Sequence, residues 1–138
     1  MRDFLEFIKS LFAILGGWIG WLCGGVDGFL YALIAFVIID YITGVMVAIS
    51  DKELSSEIGF IGICKKVTIF MLVSIASFMD AYILTDTGGG ILRTAVIFFY
   101  LSNEGISILE NCAWLGLPIP KKLEKVLSQL DDDDEEEE

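Results

Sequence analysis

The stretch GFLYALIAFVIIDYITGVMVAIS, residues 28–50, carries one charged side chain, Asp40, in 23 positions. Wound as an α-helix at about 1.5 Å per residue it reaches about 34 Å, which clears the roughly 30 Å of hydrocarbon in a bilayer. Reading it as a membrane span sets the fold class, and the rest of the chain follows the same pattern.

Three more apolar stretches have comparable lengths: 10–26, 67–85 and 91–115. Only 10–26 is free of charge, and at 17 residues it is at the short limit for a span. The third holds Asp80 near its end, and the fourth holds Glu104 and Glu110. The expectation is an all-α integral membrane protein with four transmembrane helices. The rival has three, because Phe4, Ile8, Leu11, Phe12 and Leu15 recur at a spacing that also suits a helix lying on the membrane surface. Arg2 and Lys9 precede an apolar run, but Asp3 and Glu6 dilute the basic region and no small-x-small cleavage site follows, so the segment is expected to be retained.

Composition agrees with this. The 138 residues are 55% apolar, with 20 acids against 9 bases and no His, and the mean hydropathy is +0.70. Eight of the acids form the run Asp131 to Glu138, so the first 130 residues carry 12 acids and 9 bases, net −3. The basic face of a nucleic-acid binder is missing. Without His there is no Ser-His or Cys-His pair, and Cys23, Cys64 and Cys112 stand singly, so neither a zinc site, a disulfide framework nor a catalytic constellation is expected. No cofactor is implied, and the glycines at 88–90 lack the Lys and Ser/Thr of a phosphate-binding loop.

The connections set the orientation. Gly24-Gly25-Val26-Asp27-Gly28 and Asp86-Thr87-Gly88-Gly89-Gly90 read as tight turns. Residues 50–66 carry Asp51, Lys52, Glu53, Glu57, Lys65 and Lys66 around the apolar patch 58–64, a loop expected to lie along the interface. With four spans, eight of nine bases fall on the side of both termini and only Arg93 borders the other, so both termini are expected in the cytoplasm. One membrane domain is expected over 1–118. Leu123, Val126, Leu127 and Leu130 then predict an amphipathic cytoplasmic helix over 119–130, and the octad 131–138 repels itself and is expected to be disordered.

Two patterns within the spans invite a functional reading. Gly16, Gly20, Gly24 and Gly28 recur every four residues; with Gly44 of the second span, the first three are the expected helix-packing glycines, unless those at 24–28 simply make the turn. In the fourth span, setting Asn103 at 0° and advancing about 100° per residue puts Glu110 near −20°, Ser107 near 40° and Tyr100 near 60°. Arg93 and Asn111 then fall near 80°, and Glu104 near 100°. Seven polar residues share about one third of the circumference. Intramembrane acids turn toward protein or water, so the stripe is an internal hydrogen-bond seam, a proton or ion path, or the lining of a pore made by several copies. Asp40 and Asp80 bear the same cost, and either is a candidate partner for Arg93.

Several segments resemble a known family: Asp40-Tyr41-Ile42-Thr43-Gly44; Gly59-Phe60-Ile61-Gly62 followed by Lys65-Lys66; Leu92-Arg93; Ser102 to Asn111; and Gly116-Leu117-Pro118-Ile119-Pro120. They look like the toxin-secretion and phage-lysis holin family, whose members include the clostridial toxin-release holins. The likeness covers roughly residues 28–125 in the same order, and its most specific part is SNEGISILEN. It implies a small protein of the bacterial cytoplasmic membrane with the bilayer and further copies of itself as partners, which oligomerises and opens lesions that release an endolysin or a toxin. On that reading Asp40, Asp80, Arg93, Asn103, Glu104, Ser107, Glu110 and Asn111 are the candidate pore-lining or intramembrane polar residues. Two other classes stay open: a small proton- or ion-coupled transporter using Asp40 or Glu104, and a non-conducting membrane scaffold.

Overall fold

A computed structural model describes residues 1–87 and 89–136. The described residues form five α-helices, α1 (Arg2–Leu22), α2 (Gly28–Ser50), α3 (Ser56–Tyr82), α4 (Ile91–Trp114) and α5 (Lys121–Glu136), with a 3₁₀ turn at Thr85–Thr87. Helices α1 to α4 are each long and apolar enough to cross a membrane. The four-span expectation holds, and α2 has the bounds read from the sequence.

Local chemistry explains the breaks. Helix α1 ends where Gly24 and Gly25 take positive φ and the Gly25 N–H returns to the Gly20 carbonyl at 2.8 Å. Asp27 then caps α2, its carboxylate accepting from the Leu30 N–H at 2.9 Å, and the Ser55 hydroxyl does the same for α3 at the Ile58 N–H. Helix α4 closes with Gly116 at positive φ and the Leu117 N–H on the Cys112 carbonyl, after which Pro118 and Pro120 turn the chain into α5.

Helix α1 runs from Arg2 to Leu22 rather than over 10–26, because the glycine turn ends it early and the amphipathic start joins it. The bounds of α3 and α5 also differ from the sequence reading. Helix α3 starts at Ser56, so the patch 58–64, expected in an interfacial loop, forms its first turns. Lys65 and Lys66 had suggested a later start, but the charge of Lys66 is matched from neighbouring helices. Helix α5 continues past Leu130 to Glu136, since extending an existing helix costs far less than starting one. Glu137 and Glu138 lie outside the described residues.

Helix α4 is central, packing on α2, α3 and α5, whereas α2 and α3 touch each other less. Leu30, Leu33 and Val37 of α2 line up at i, i+3 and i+7 against Ile97 of α4 and against Ile69 and Val73 of α3, with Cys23 closing the cluster. Outside this core the surface is as apolar as the interior: Phe12, Trp18, Ile42, Phe60, Met71 and Ile75 are all exposed. That is the pattern of helices whose outer solvent is lipid. Helix α1 stands most apart; of its residues only Gly20 is buried, and Trp21 meets Phe78 of α3 edge to face.

Candidate functional site

Helices α2 and α4 run in the same direction and α3 runs antiparallel to both, so residues equally far from the helix ends come level. Asp40, Lys66 and Glu104 each lie ten residues from the end where Ser50, Ser56 and Trp114 stand, about 15 Å along the axis and close to mid-height. There they meet. The Lys66 ammonium donates to Glu104 Oε2 at 2.5 Å and also to Asp40 Oδ2. The second Asp40 oxygen accepts from the Asn111 carboxamide at 3.1 Å, and Asn111 also donates to Thr43 Oγ1 at 3.0 Å. The Asp40 and Glu104 side chains are each 9% exposed. Two carboxylates and one ammonium thus form a buried seam of net charge −1 joining three spans.

A second polar cluster sits at the opposite end, where the glycine turns are. The Arg93 guanidinium donates to the Cys23 carbonyl at 2.5 Å, to the Gly25 carbonyl at 2.8 Å and to Asp27 Oδ2 at 2.7 Å. This clamps the turn between α1 and α2 onto the start of α4. The Asp27 carboxyl is held below its ordinary value of 3.8, chiefly by the Arg93 hydrogen bond and against the effect of burial. Asp80 accepts from the backbone N–H groups of Leu92 and Arg93 at 3.1 and 2.7 Å, so α3 supplies the cap that α4 lacks.

These contacts correct the expected pairings. Neither Asp40 nor Asp80 binds the Arg93 side chain; Asp27 does, because Arg93 stands in the first turn of α4, level with the α1–α2 turn. Gly24, expected on a helical packing groove, lies beyond the end of α1 in the turn, where an added Cβ would meet Ser77 Oγ at 2.4 Å and Arg93 Nε at 2.8 Å. At Gly20 a Cβ would meet Val26 of the same turn, and Gly16 has nothing within 4 Å. Gly44 faces the Asn111 amide at 3.8 Å.

The stripe on α4 divides by angle. Its members near 80–100°, Arg93, Asn111 and Glu104, are the ones used inside the chain. Those between about −20° and 60°, Glu110, Asn103, Ser107 and Tyr100, have no side-chain hydrogen-bond or ion partner among the described residues. Asn103 and Tyr100 wall a cleft toward α3, Ser107 a cleft toward α2 and α3, and the exposed Glu110 a crevice beside α5 that also holds Glu124. Two participants escaped the sequence reading, Lys66 and Asp27. The two acids within separate spans were the signal for the first, since each needs a base at its own depth; the Asp-Gly step before a long apolar run was the signal for the second.

The bacteriophage holin family model matches residues 17–132. A protein described as a probable holin, from Bacillus phage phi105, is 35% identical over 108 residues, covering 78% of each chain. An uncharacterized 14.9 kDa protein from Clostridium perfringens is 44% identical over 94% of this chain and 97% of its own length. An uncharacterized Listeria monocytogenes protein is 43% identical over 87% and 85%. No solved structure matches. With four bilayer-length helices and a family match over most of its length, this multi-pass membrane protein belongs to the bacteriophage holin family.

Proposed function

We propose that the chain is a working holin: it accumulates in the bacterial cytoplasmic membrane, assembles with copies of itself and opens lesions that let an endolysin, or a secreted toxin, leave the cytoplasm. Arg2, Lys9, Lys52, Lys121, Lys122 and Lys125 flank the spans on one side, which supports both termini being cytoplasmic. The observation that carries the reading is the divided stripe of α4. Its inner half is ion-paired and hydrogen-bonded within one chain, which shields it from lipid. Its outer half, Asn103, Ser107 and Glu110, remains available to water once copies surround a lumen.

Asp40, Glu104, Asn111, Asp80 and Arg93 are assigned to holding the spans together rather than to lining the lesion. Inducible expression with a membrane-potential dye, with and without a co-expressed cytoplasmic endolysin, tests the function. An abrupt loss of potential, followed by lysis only when the enzyme is present, is expected. Substrate-linked proton movement with the potential intact would replace the reading with a transporter, and neither effect would replace it with a scaffold.

A further inference from the structure

Between α3 and α4, with no residue of α2 in its wall, runs a cleft of about 360 Å³. Part of its polar lining is paired within the chain: the Thr68 hydroxyl donates to the Cys64 carbonyl at 2.9 Å, and Glu104 is bound to Lys66. Of the rest, Lys65 is exposed and the Tyr100 hydroxyl has no partner among the described residues, and neither has the carboxamide of the half-buried Asn103. It lies 12 residues from Ile91 and 11 from Trp114, about 18 and 16 Å from the helix ends, at the middle of the span. Hydrocarbon supplies neither a donor nor an acceptor there, and an unsatisfied amide is costly in such a medium.

The geometry of a membrane narrows what can satisfy it. Copies inserted with one topology are related by rotation about an axis normal to the bilayer, so a residue at the axis meets its own equivalent at its own depth. A carboxylate or ammonium repels its equivalent. A carboxamide does not, because it carries both an acceptor oxygen and an amino donor, and two of them complete each other. We propose that two copies of this chain pair across the α3–α4 cleft, with their Asn103 carboxamides hydrogen-bonded to one another about a two-fold axis normal to the membrane. Each Glu104 beside that axis stays bound to the Lys66 of its own chain, which keeps the two acids from opposing the approach. The inference rests on the homo-oligomeric part of the proposed function and supplies its first step, a resting dimer that covers the centre of the stripe.

The test is cross-linking in native membranes at expression levels below the onset of lysis, in a chain with Cys23, Cys64 and Cys112 replaced by Ala. Asn103→Cys is expected to give a covalent dimer with a short bis-methanethiosulfonate in at least fivefold greater yield than Ala95→Cys or Phe12→Cys, which are exposed elsewhere. Equal yields at all three positions, or no dimer from Asn103→Cys, would overturn the pairing. With differently tagged copies, Asn103→Gln should keep co-purification and Asn103→Leu should lose it at unchanged thermal stability; retention by Asn103→Leu would also overturn it. Both readouts are scored without lysis. A dimer at Asn103 in a protein that never depolarises cells would leave the pairing standing and remove the holin reading, and depolarisation without the dimer would do the reverse.

Discussion

Lys66 on α3 holds Glu104 on α4, Nζ to Oε2 at 2.5 Å, while the same nitrogen binds Asp40 on α2. One side chain therefore joins three spans at mid-height. Replacing Lys66 with Met leaves two carboxylates close together where water is scarce, and breaking a buried pair in this way costs about 3–5 kcal/mol. Lys66→Met should accumulate poorly in membranes and unfold at markedly lower temperature in detergent. The combined Asp40→Asn, Lys66→Met, Glu104→Gln variant leaves no charge unpaired and should recover most of the loss.

The Arg93–Asp27 clamp should be acid-sensitive. Because the folded-state carboxyl of Asp27 titrates below its ordinary value of 3.8, its contribution is complete above that value and is lost as the pH falls through the depressed folded-state value. Hydrogen exchange of the α1–α2 turn, taken relative to the intrinsic rate at each pH, should therefore accelerate below about pH 4. In Asp27→Asn it should be faster at neutral pH, with that acid-dependent step gone. Arg93→Lys cannot reproduce a fork that reaches two carbonyls and a carboxylate at once, so it should resemble Arg93→Leu in exchange rate more than wild type.

The glycines of the first segment separate by role. Gly24→Ala puts a side chain at φ +87°, with Ser77 and Arg93 both closer than a Cβ allows, and should cost on the order of 1–3 kcal/mol. Gly16→Ala meets nothing within 4 Å and replaces a poor helix former inside α1, so thermal unfolding should shift up slightly, by no more than about 1 kcal/mol.

How far the sequence foretold this depended on whether a signal was local. The bounds of α2 were legible because an apolar run broken only by Asp40 starts at the glycine-rich turn and stops at the charges from Asp51 onward. The angular clustering on α4 was legible because helical periodicity is a property of one segment. The partners of Asp40 and Glu104 were not, since they depend on how far along α3 the basic pair falls, and that pair itself made α3 look as if it began at 67 rather than at Ser56. Asp80 likewise looked like an intramembrane charge in need of a base, and its use as a cap for another helix appears only when α3 and α4 are placed side by side.

Helix α5 folds back on α4, with Leu127 buried where Gly105 leaves room: a Cβ there would stand 2.9 Å from Leu127 Cδ2 and 3.2 Å from Phe36 Cε2. Gly105→Ala should loosen this contact, and Leu127→Ala should remove it, at about 2–5 kcal/mol for a well-buried Leu, less where the site relaxes. Both variants should show faster tryptic cleavage at Lys121, Lys122 and Lys125 in membranes that expose these residues.

When the lesion opens, the outer half of the α4 stripe turns to water. This exposure is tested most directly by labelling Ser107→Cys with a membrane-impermeant thiol reagent in cells, in the background lacking native cysteines, before and after depolarisation. Ser107→Cys should be protected beforehand and labelled rapidly once the potential collapses, and Ala95→Cys, on the apolar side of α4, should not be labelled at any time. Cells that depolarise and lyse while Ser107→Cys stays protected, or in which Ala95→Cys labels equally, would contradict it.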